Sequence, residues 1–211
     1  MSAPDPATTE PPVKRRQSSG VFWALVVGAV VVLVLGIAVA QRFGSDPSLV
    51  ASPLIGKPAP DVTVRWLEAP GEVALSDLTG SVTVVNFWAS WCTGCRREHE
   101  VLALAAAGTE DFDVRFIGIN YQDADARAVA FLDELGRVPG AAYVVDDTSR
   151  AALEYGVLGL PETFFIDQNG IIVGKVSGPL TAEVLDSTLG KIILGEAVGQ
   201  ITTGEVENRD T

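Results

Sequence analysis

The chain has little of what several common classes of protein require. Its 211 residues include two cysteines, one histidine and one methionine, and 15 basic residues are outnumbered by 27 acidic ones. Two cysteines are too few for the disulfide framework of a small secreted scaffold. A net charge of -12 would repel a polyanion, so we expect no nucleic-acid partner.

An apolar run near the N-terminus predicts attachment to the cell membrane. Val21 to Ala40 carries no charge, and its 20 residues would extend about 30 Å as a helix, the thickness of a hydrocarbon core. Basic residues 14 to 16 precede the run, which predicts a cytoplasmic N-terminus and an extracytoplasmic (periplasmic-side) remainder. Ala38 to Ala40 also fits a signal-peptide cleavage site, so cleavage after Ala40 stays open.

Composition divides the chain into five segments. We expect a disordered cytoplasmic tail over 1–20, a single transmembrane anchor over 21–40, a linker over 41–54, a folded domain over 55–195 and a flexible acidic tail over 196–211.

Within the folded domain, strand-like and helix-like patterns alternate. A hairpin is predicted over Val62–Leu67 and Val73–Leu75, and Val82–Trp88 is typical of a strand buried on both faces. The other predicted strands are Val114–Asn120, Ala141–Val145, Thr163–Ile166 and Ile171–Val176, and the predicted helices are Cys92–Ala107, Asp123–Leu135, Ser149–Tyr155 and Thr181–Leu194. This order predicts an α/β fold with helices on both faces of one sheet.

Both cysteines lie where the Val82–Trp88 strand gives way to a helix. A thiol at a helix N-terminus is close to free N–H groups and the positive end of the dipole, which favour the thiolate, so Cys92 is the candidate nucleophile. Cys95 falls on the same helical face and can act second. So small a disulfide loop would add only about 2 kcal/mol of stability, and redox exchange explains the pair better than a structural bridge.

A metal site has weaker support. His99 could join Cys92 and Cys95, but a structural zinc site needs four ligands, so we expect no metal and no cofactor. A Cu(I)-binding chaperone using these three residues stays open as an alternative.

Four stretches together resemble a known family. They are Gly56–Asp61, Asn86–Cys92, Cys95–His99 and Gly159–Phe164. They are similar to thioredoxin-fold proteins, and most of all to the membrane-anchored thiol-disulfide oxidoreductases of cytochrome c maturation (CcmG/DsbE type, TlpA/ResA-like). The resemblance implies an enzyme that reduces the haem-binding cysteine pair of apocytochrome c, directly or through a cytochrome-assembly thiol protein. A membrane thiol carrier would donate the electrons.

The resemblance also implies roles for individual residues. Cys92 and Cys95 would form the redox-active disulfide, with a cis Pro161 packed against it and the backbone of Leu160 offered to an extended client. The client groove would be lined by Trp91, Thr93, Gly94, Leu160, Pro161 and Glu162, with Glu162 adding negative potential to it.

An acid-base group near the pair is expected at Glu98. Asn86 lies where thioredoxin has a buried acid, and an amide cannot titrate. Glu98 follows Cys95 by one helical turn, and burial would raise its pKa and suit it to proton transfer at Cys95. Thr93-Gly94 lacks the proline common in similar proteins, so the direction of electron flow stays open. A general extracytoplasmic disulfide-forming oxidase is therefore the second alternative.

Overall fold

The computed structural model describes residues 19–43, 52–78 and 80–209. The chain divides into two compact units, residues 1–45 and 46–211, and the first contains helix α1 (Ser19–Phe43). Among the described residues, no helix has both the length and the apolarity needed to cross a membrane. The anchor predicted over 21–40 stays a prediction, and the predicted tail up to residue 18 and linker residues 44–51 lie outside the described residues.

The second unit has eight strands and four helices among its described residues. The strands are β1 (Thr63–Trp66), β2 (Glu72–Ala74), β3 (Val82–Trp88), β4 (Val114–Tyr121), β5 (Ala142–Asp146), β6 (Glu162–Ile166), β7 (Ile172–Ser177) and β8 (Gly199–Thr202). The helices are α2 (Thr93–Gly108), α3 (Asp125–Leu135), α4 (Arg150–Tyr155) and α5 (Ala182–Ile193), with 3-10 turns at Leu75–Leu78 and Glu110–Phe112.

The described strands form one mixed sheet in the order β2-β1-β5-β4-β3-β6-β7-β8. Strands β3, β4 and β5 are parallel, β6 is antiparallel to both β3 and β7, and β8 is parallel to β7. The predicted N-terminal hairpin is formed by β1 and β2, and it extends the sheet beyond β5. Because the cysteine pair directly follows β3, which lies between β4 and β6, it is near the middle of the sheet.

Both faces of β3 are buried, because helices cover both sides of the sheet. Val84 packs in the same cluster as Leu102 of α2 and Leu185 of α5. Val85 and Phe87 point the other way, and the ring of Phe87 lies 5.4 Å from that of Tyr155 in α4. A mostly apolar strand is therefore stable here, and the predicted α/β fold is confirmed.

The C-terminal residues differ from the flexible tail that composition predicts. Residues 199–202 form β8 and extend the sheet beyond β7, and Glu207 pairs with Leu160 in an isolated antiparallel bridge. The edge of β7 offers unpaired backbone N–H and C=O groups, and any chain that can lie extended beside it will satisfy them. Such pairing needs no apolar pattern, which is why composition did not indicate it.

A buried ion pair links β6 to β7. Lys175 Nζ lies 2.9 Å from Glu162 Oε2, and both side chains are almost fully inaccessible. Ser177 Oγ donates to the other carboxylate oxygen, at 3.2 Å. Burial raises the pKa of Glu162, whereas the Lys175 cation opposes that rise. Each charge therefore depends on the other to remain in the interior.

We predict that Lys175→Met lowers the free energy of unfolding by about 3 to 5 kcal/mol at pH 7, because it leaves the Glu162 carboxylate buried without a cation. Urea denaturation measures the change. Lys191→Met, at an exposed position of α5, is the matched control and should change stability by less than about 0.5 kcal/mol. Equal effects of the two substitutions would contradict the assignment.

Candidate active site

The cysteine pair lies at the first turn of α2, as predicted. Cys92 is the N-cap residue, and its Sγ accepts a hydrogen bond from the backbone N–H of Cys95 at 3.0 Å. The two residues form a disulfide with a Cα–Cα distance of 5.3 Å. Cys92 is 1% exposed and Cys95 is 3% exposed, so the surrounding chain covers both.

The loop that leads into the pair is held by the turn between β4 and α3. The Asp123 carboxylate accepts from the backbone N–H of Ser90 at 2.7 Å, and Trp91 Nε1 donates to the Gln122 carbonyl at 3.0 Å. Burial alone would raise the pKa of Asp123, but the hydrogen bonds from Ser90, Ala124 and Arg127 outweigh it and lower that pKa. A charged Asp123 thus fixes the entry to the helix.

The proline segment lies against the pair because of sheet register. Phe87 of β3 pairs with Glu162 of β6, and this brings Pro161 beside the start of α2. The Leu160–Pro161 peptide is cis. A Cβ on Gly94 would lie 2.8 Å from Pro161 Cδ, so no larger residue fits without movement. Close packing therefore accounts for the glycine.

Glu98 is buried behind the disulfide and is held by two donors. Its Oε1 accepts from Asn86 Nδ2 and its Oε2 accepts from the backbone N–H of Leu180, both at 2.7 Å. Glu98 is 1% exposed, and burial raises its pKa to about 8, although both hydrogen bonds oppose the rise. Glu98 is therefore not a solvent-facing helix residue. With this raised pKa it can gain or lose a proton near neutral pH.

Asn86 positions this carboxyl group. Its amide nitrogen donates to Glu98 Oε1 and also, at 3.0 Å, to Thr163 Oγ1 on β6. Asn86 therefore connects the active-site strand, the active-site helix and the proline strand through one buried amide. This role follows from contacts between distant residues and was not visible in the sequence.

The predicted groove is brought together in part. Trp91, Thr93, Gly94 and Pro161 lie around the pair, and Leu160 buries its side chain while its backbone pairs with Glu207. Glu162 has no exposed surface and is paired with Lys175, so it does not face a groove. The prediction that Glu162 adds negative potential to the groove is wrong, because its side chain points into the interior, where its ion-pair partner lies on β7.

His99 is used within the fold. Its Nε2 lies 2.6 Å from the Gly136 carbonyl, and its ring packs edge-on against Phe131 at 5.4 Å. Over the described parts of the chain, no group of three His, Cys, Asp or Glu residues is arranged to hold a metal ion. The Cu(I) alternative thus gains no support from the geometry.

One residue in contact with the active-site helix was missed by the sequence analysis. The Glu207 carboxylate accepts from the backbone N–H groups of Thr93 at 3.0 Å and Gly94 at 2.8 Å. These are free donors of the first turn of α2. The only signal in the sequence was Val206 between two glutamates, which is too short a pattern to predict a structure.

The model of the AhpC/TSA family matches residues 55–175, which contain β1 to β6, the first part of β7, the cysteine pair and Pro161. The chain belongs to the AhpC/TSA family, among its DsbE-type relatives. This agrees with the thioredoxin-like resemblance carried by the four stretches.

Three similar proteins illustrate the relationship. The thiol:disulfide interchange protein DsbE of Allochromatium vinosum is 39% identical over 149 residues, which cover 70% of this chain and 80% of that protein. HelX of Rhodobacter capsulatus, also a thiol:disulfide interchange protein, is 36% identical over 154 residues, covering 72% and 85%. A crystal structure of a Chlorobium tepidum protein assigned as DsbE has a TM-score of 0.59 at 30% identity, covering 66% of this chain and 97% of that one.

We predict that Glu98→Gln changes how stability depends on pH. Glu98 keeps its proton up to about pH 8 in the folded chain but loses it near pH 4.5 when unfolded, so its burial costs stability increasingly between these values. The variant should therefore gain about 3 kcal/mol relative to wild type between pH 5 and pH 8.

Urea denaturation across this pH range measures the gain. The exposed Glu100→Gln on the same helix is the control, and its stability should run parallel to wild type. Parallel curves for Glu98→Gln as well would show that Glu98 titrates normally in the folded state.

Proposed function

We propose that this chain is an extracytoplasmic thiol-disulfide oxidoreductase that reduces the haem-binding cysteine pair of apocytochrome c or of an assembly partner. The observation that carries the redox activity is the Cys92–Cys95 disulfide at the first turn of α2, where Gly94 between the cysteines lies against Pro161 and the buried Glu98 follows one turn later. The names of the DsbE and HelX relatives support thiol:disulfide interchange. The resemblance to the cytochrome c maturation proteins supports the choice of client.

The chemistry uses two successive exchanges. The Cys92 thiolate of the reduced protein attacks one sulfur of the client disulfide, forms a mixed disulfide and releases the other client sulfur as a thiolate. The Cys95 thiolate then attacks Cys92 Sγ, which closes the Cys92–Cys95 disulfide and releases the second client thiolate. Two electrons pass to the client, and a membrane dithiol carrier restores the protein by the reverse exchange.

The second exchange requires a base for the Cys95 thiol. Glu98 lies one helical turn from Cys95, and its pKa of about 8 matches the proton that must leave at neutral pH. The buried amide of Asn86 holds the carboxyl group in one orientation without competing for the proton. We therefore assign proton transfer to Glu98 and its positioning to Asn86.

We predict that Cys95→Ala traps the client on Cys92. Without the second thiol the mixed disulfide cannot resolve, so an oxidised peptide containing Cys-x-x-Cys-His should accumulate as an adduct that mass spectrometry maps to Cys92. Cys92→Ala is the matched control and should give no adduct. Absence of an adduct from the Cys95→Ala variant would contradict the proposal.

A reduction potential separates this function from the oxidase alternative. Equilibration with glutathione should give a value closer to thioredoxin's, about -270 mV, than to that of a strong oxidant, about -120 mV. A value near the second figure would favour a disulfide-forming oxidase.

The proposed location rests on the sequence of residues 21–40. We predict that the full-length protein stays in the membrane fraction after alkaline carbonate extraction, because an uncharged run of 20 residues can span the hydrocarbon core. A chain that begins at Asp46 is the control and should be released. Protease added outside the cytoplasmic membrane should digest the domain, and recovery of the full chain in the soluble fraction would contradict anchoring.

A further inference from the structure

The C-terminal segment crosses the sheet end that carries the disulfide. We define the strap as residues 203–208, which follow β8. The Thr203 N–H donates to the Ser177 carbonyl at 2.9 Å, so the strap leaves the sheet next to the end of β7. From there it runs past Gly178 and Gly159 to the start of α2.

Two glycines leave room for the strap. A Cβ on Gly178, whose φ is +94°, would lie 2.6 Å from Gly204 N, and a Cβ on Gly159 would lie 2.6 Å from Val206 Cγ2. Neither position accepts a side chain while the strap is in place. The contact is therefore closely fitted on both sides, unlike a tail that rests loosely on a surface.

The strap forms backbone hydrogen bonds with Leu160, the residue before Pro161. The Leu160 N–H donates to the Glu207 carbonyl at 2.7 Å, and the Glu207 N–H donates to the Leu160 carbonyl at 2.6 Å. This reciprocal pair is the pattern by which an extended peptide joins a strand edge. Under the proposed function, the same edge must accept the client.

The Glu207 side chain also binds the backbone N–H groups that would stabilise a thiolate at Cys92. Its carboxylate accepts from the N–H groups of Thr93 and Gly94, which with that of Cys95 form the donors of the first turn. A thiolate at Cys92 is favoured by these donors and by the positive end of the helix dipole. The carboxylate and the thiolate are two anions competing for one small set of donors.

We propose that the strap is an internal occupant of the client edge, and that Glu207 suppresses the Cys92 thiolate until a client displaces the strap. The inference rests on the proposed function, because the family resemblance that supports that function assigns the Leu160 backbone to the client. A client with its own extended chain beside the cysteine would replace both the backbone bridge and the carboxylate. Displacement of the strap would therefore expose Cys92 and at the same time increase its reactivity.

Other charged side chains lie near Cys92 and Glu207. Arg127 of α3 and Arg209 line the same open groove as Glu207. Glu98 lies behind the pair on α2, and its carboxyl group is held by Asn86 and Leu180. Glu205 is an exposed carboxylate of the strap itself.

The test compares Glu207→Gln with Glu205→Gln in a Cys95→Ala background, where Cys92 is the only thiol. Iodoacetamide is the first probe, and its rate is measured against pH. Glu207→Gln should lower the pKa of the Cys92 thiol and accelerate alkylation at pH 6 by about three- to tenfold, whereas Glu205→Gln should match the background. Equal rates and equal pH profiles for the two variants would overturn the inference.

A chain ending at Thr202 tests the strap as a whole. It should react with iodoacetamide at least as fast as Glu207→Gln, and a rate equal to that of the full-length background would overturn the inference. Thermal unfolding establishes that the shortened chain is folded. If it is not, the Glu207→Gln comparison alone decides.

An oxidised Cys-x-x-Cys-His peptide is the second probe. The peptide should form its Cys92 adduct faster with Glu207→Gln and with the shortened chain than with the background. Adduct formation at one common rate would overturn the strap inference while leaving the proposed function in place. Faster alkylation with no peptide adduct in any variant would overturn the proposed function and leave the effect of Glu207 on Cys92 established.

Discussion

The free N–H groups at the first turn of α2 are the feature on which the rest of the active site depends. They are the donors that a helix cannot satisfy by itself, and they lie where the chain leaves the central strand β3. Cys92 caps one of them, and the Glu207 carboxylate accepts two others. Whichever anion these groups stabilise determines whether the cysteine is reactive, because only the thiolate attacks a disulfide.

Two polar side chains are buried behind the disulfide, Glu98 and Asn86, and partners from other elements hold both of them. Glu98 receives donors from β3 and from the segment before α5, and Asn86 reaches Thr163 on β6. A buried carboxyl group with a raised pKa is costly for a fold, and a proton-transfer site requires one. Glu162 is also buried, but it differs from Glu98 because the Lys175 cation balances the charge of its carboxylate. Glu162 therefore has a structural role.

Much of the fold was predictable, because its elements are specified by local patterns. Val82–Trp88 was expected as a strand and has these bounds, and the helix expected from Cys92 begins at Thr93 with Cys92 as its cap. The register between β3 and β6, which brings Pro161 to Gly94, depends on pairs about 75 residues apart in the chain. The sequence analysis placed Glu162 in the groove because it directly follows Pro161. That placement is wrong because adjacency in sequence does not indicate which face of a strand a side chain occupies.

Local sequence patterns were enough to predict β1 to β7 and the four helices of the folded domain in order, the position of the cysteine pair at a helix N-terminus, and the candidate base one turn later. These properties depend on residues close together in the chain. The tertiary structure alone decided which carboxylate meets the active site: Glu98 from behind, Glu207 from the C-terminal strap, and not Glu162. The physical reason is that hydrogen bonds to backbone N–H groups require only an oxygen at the right place, and distant segments reach that place through folding.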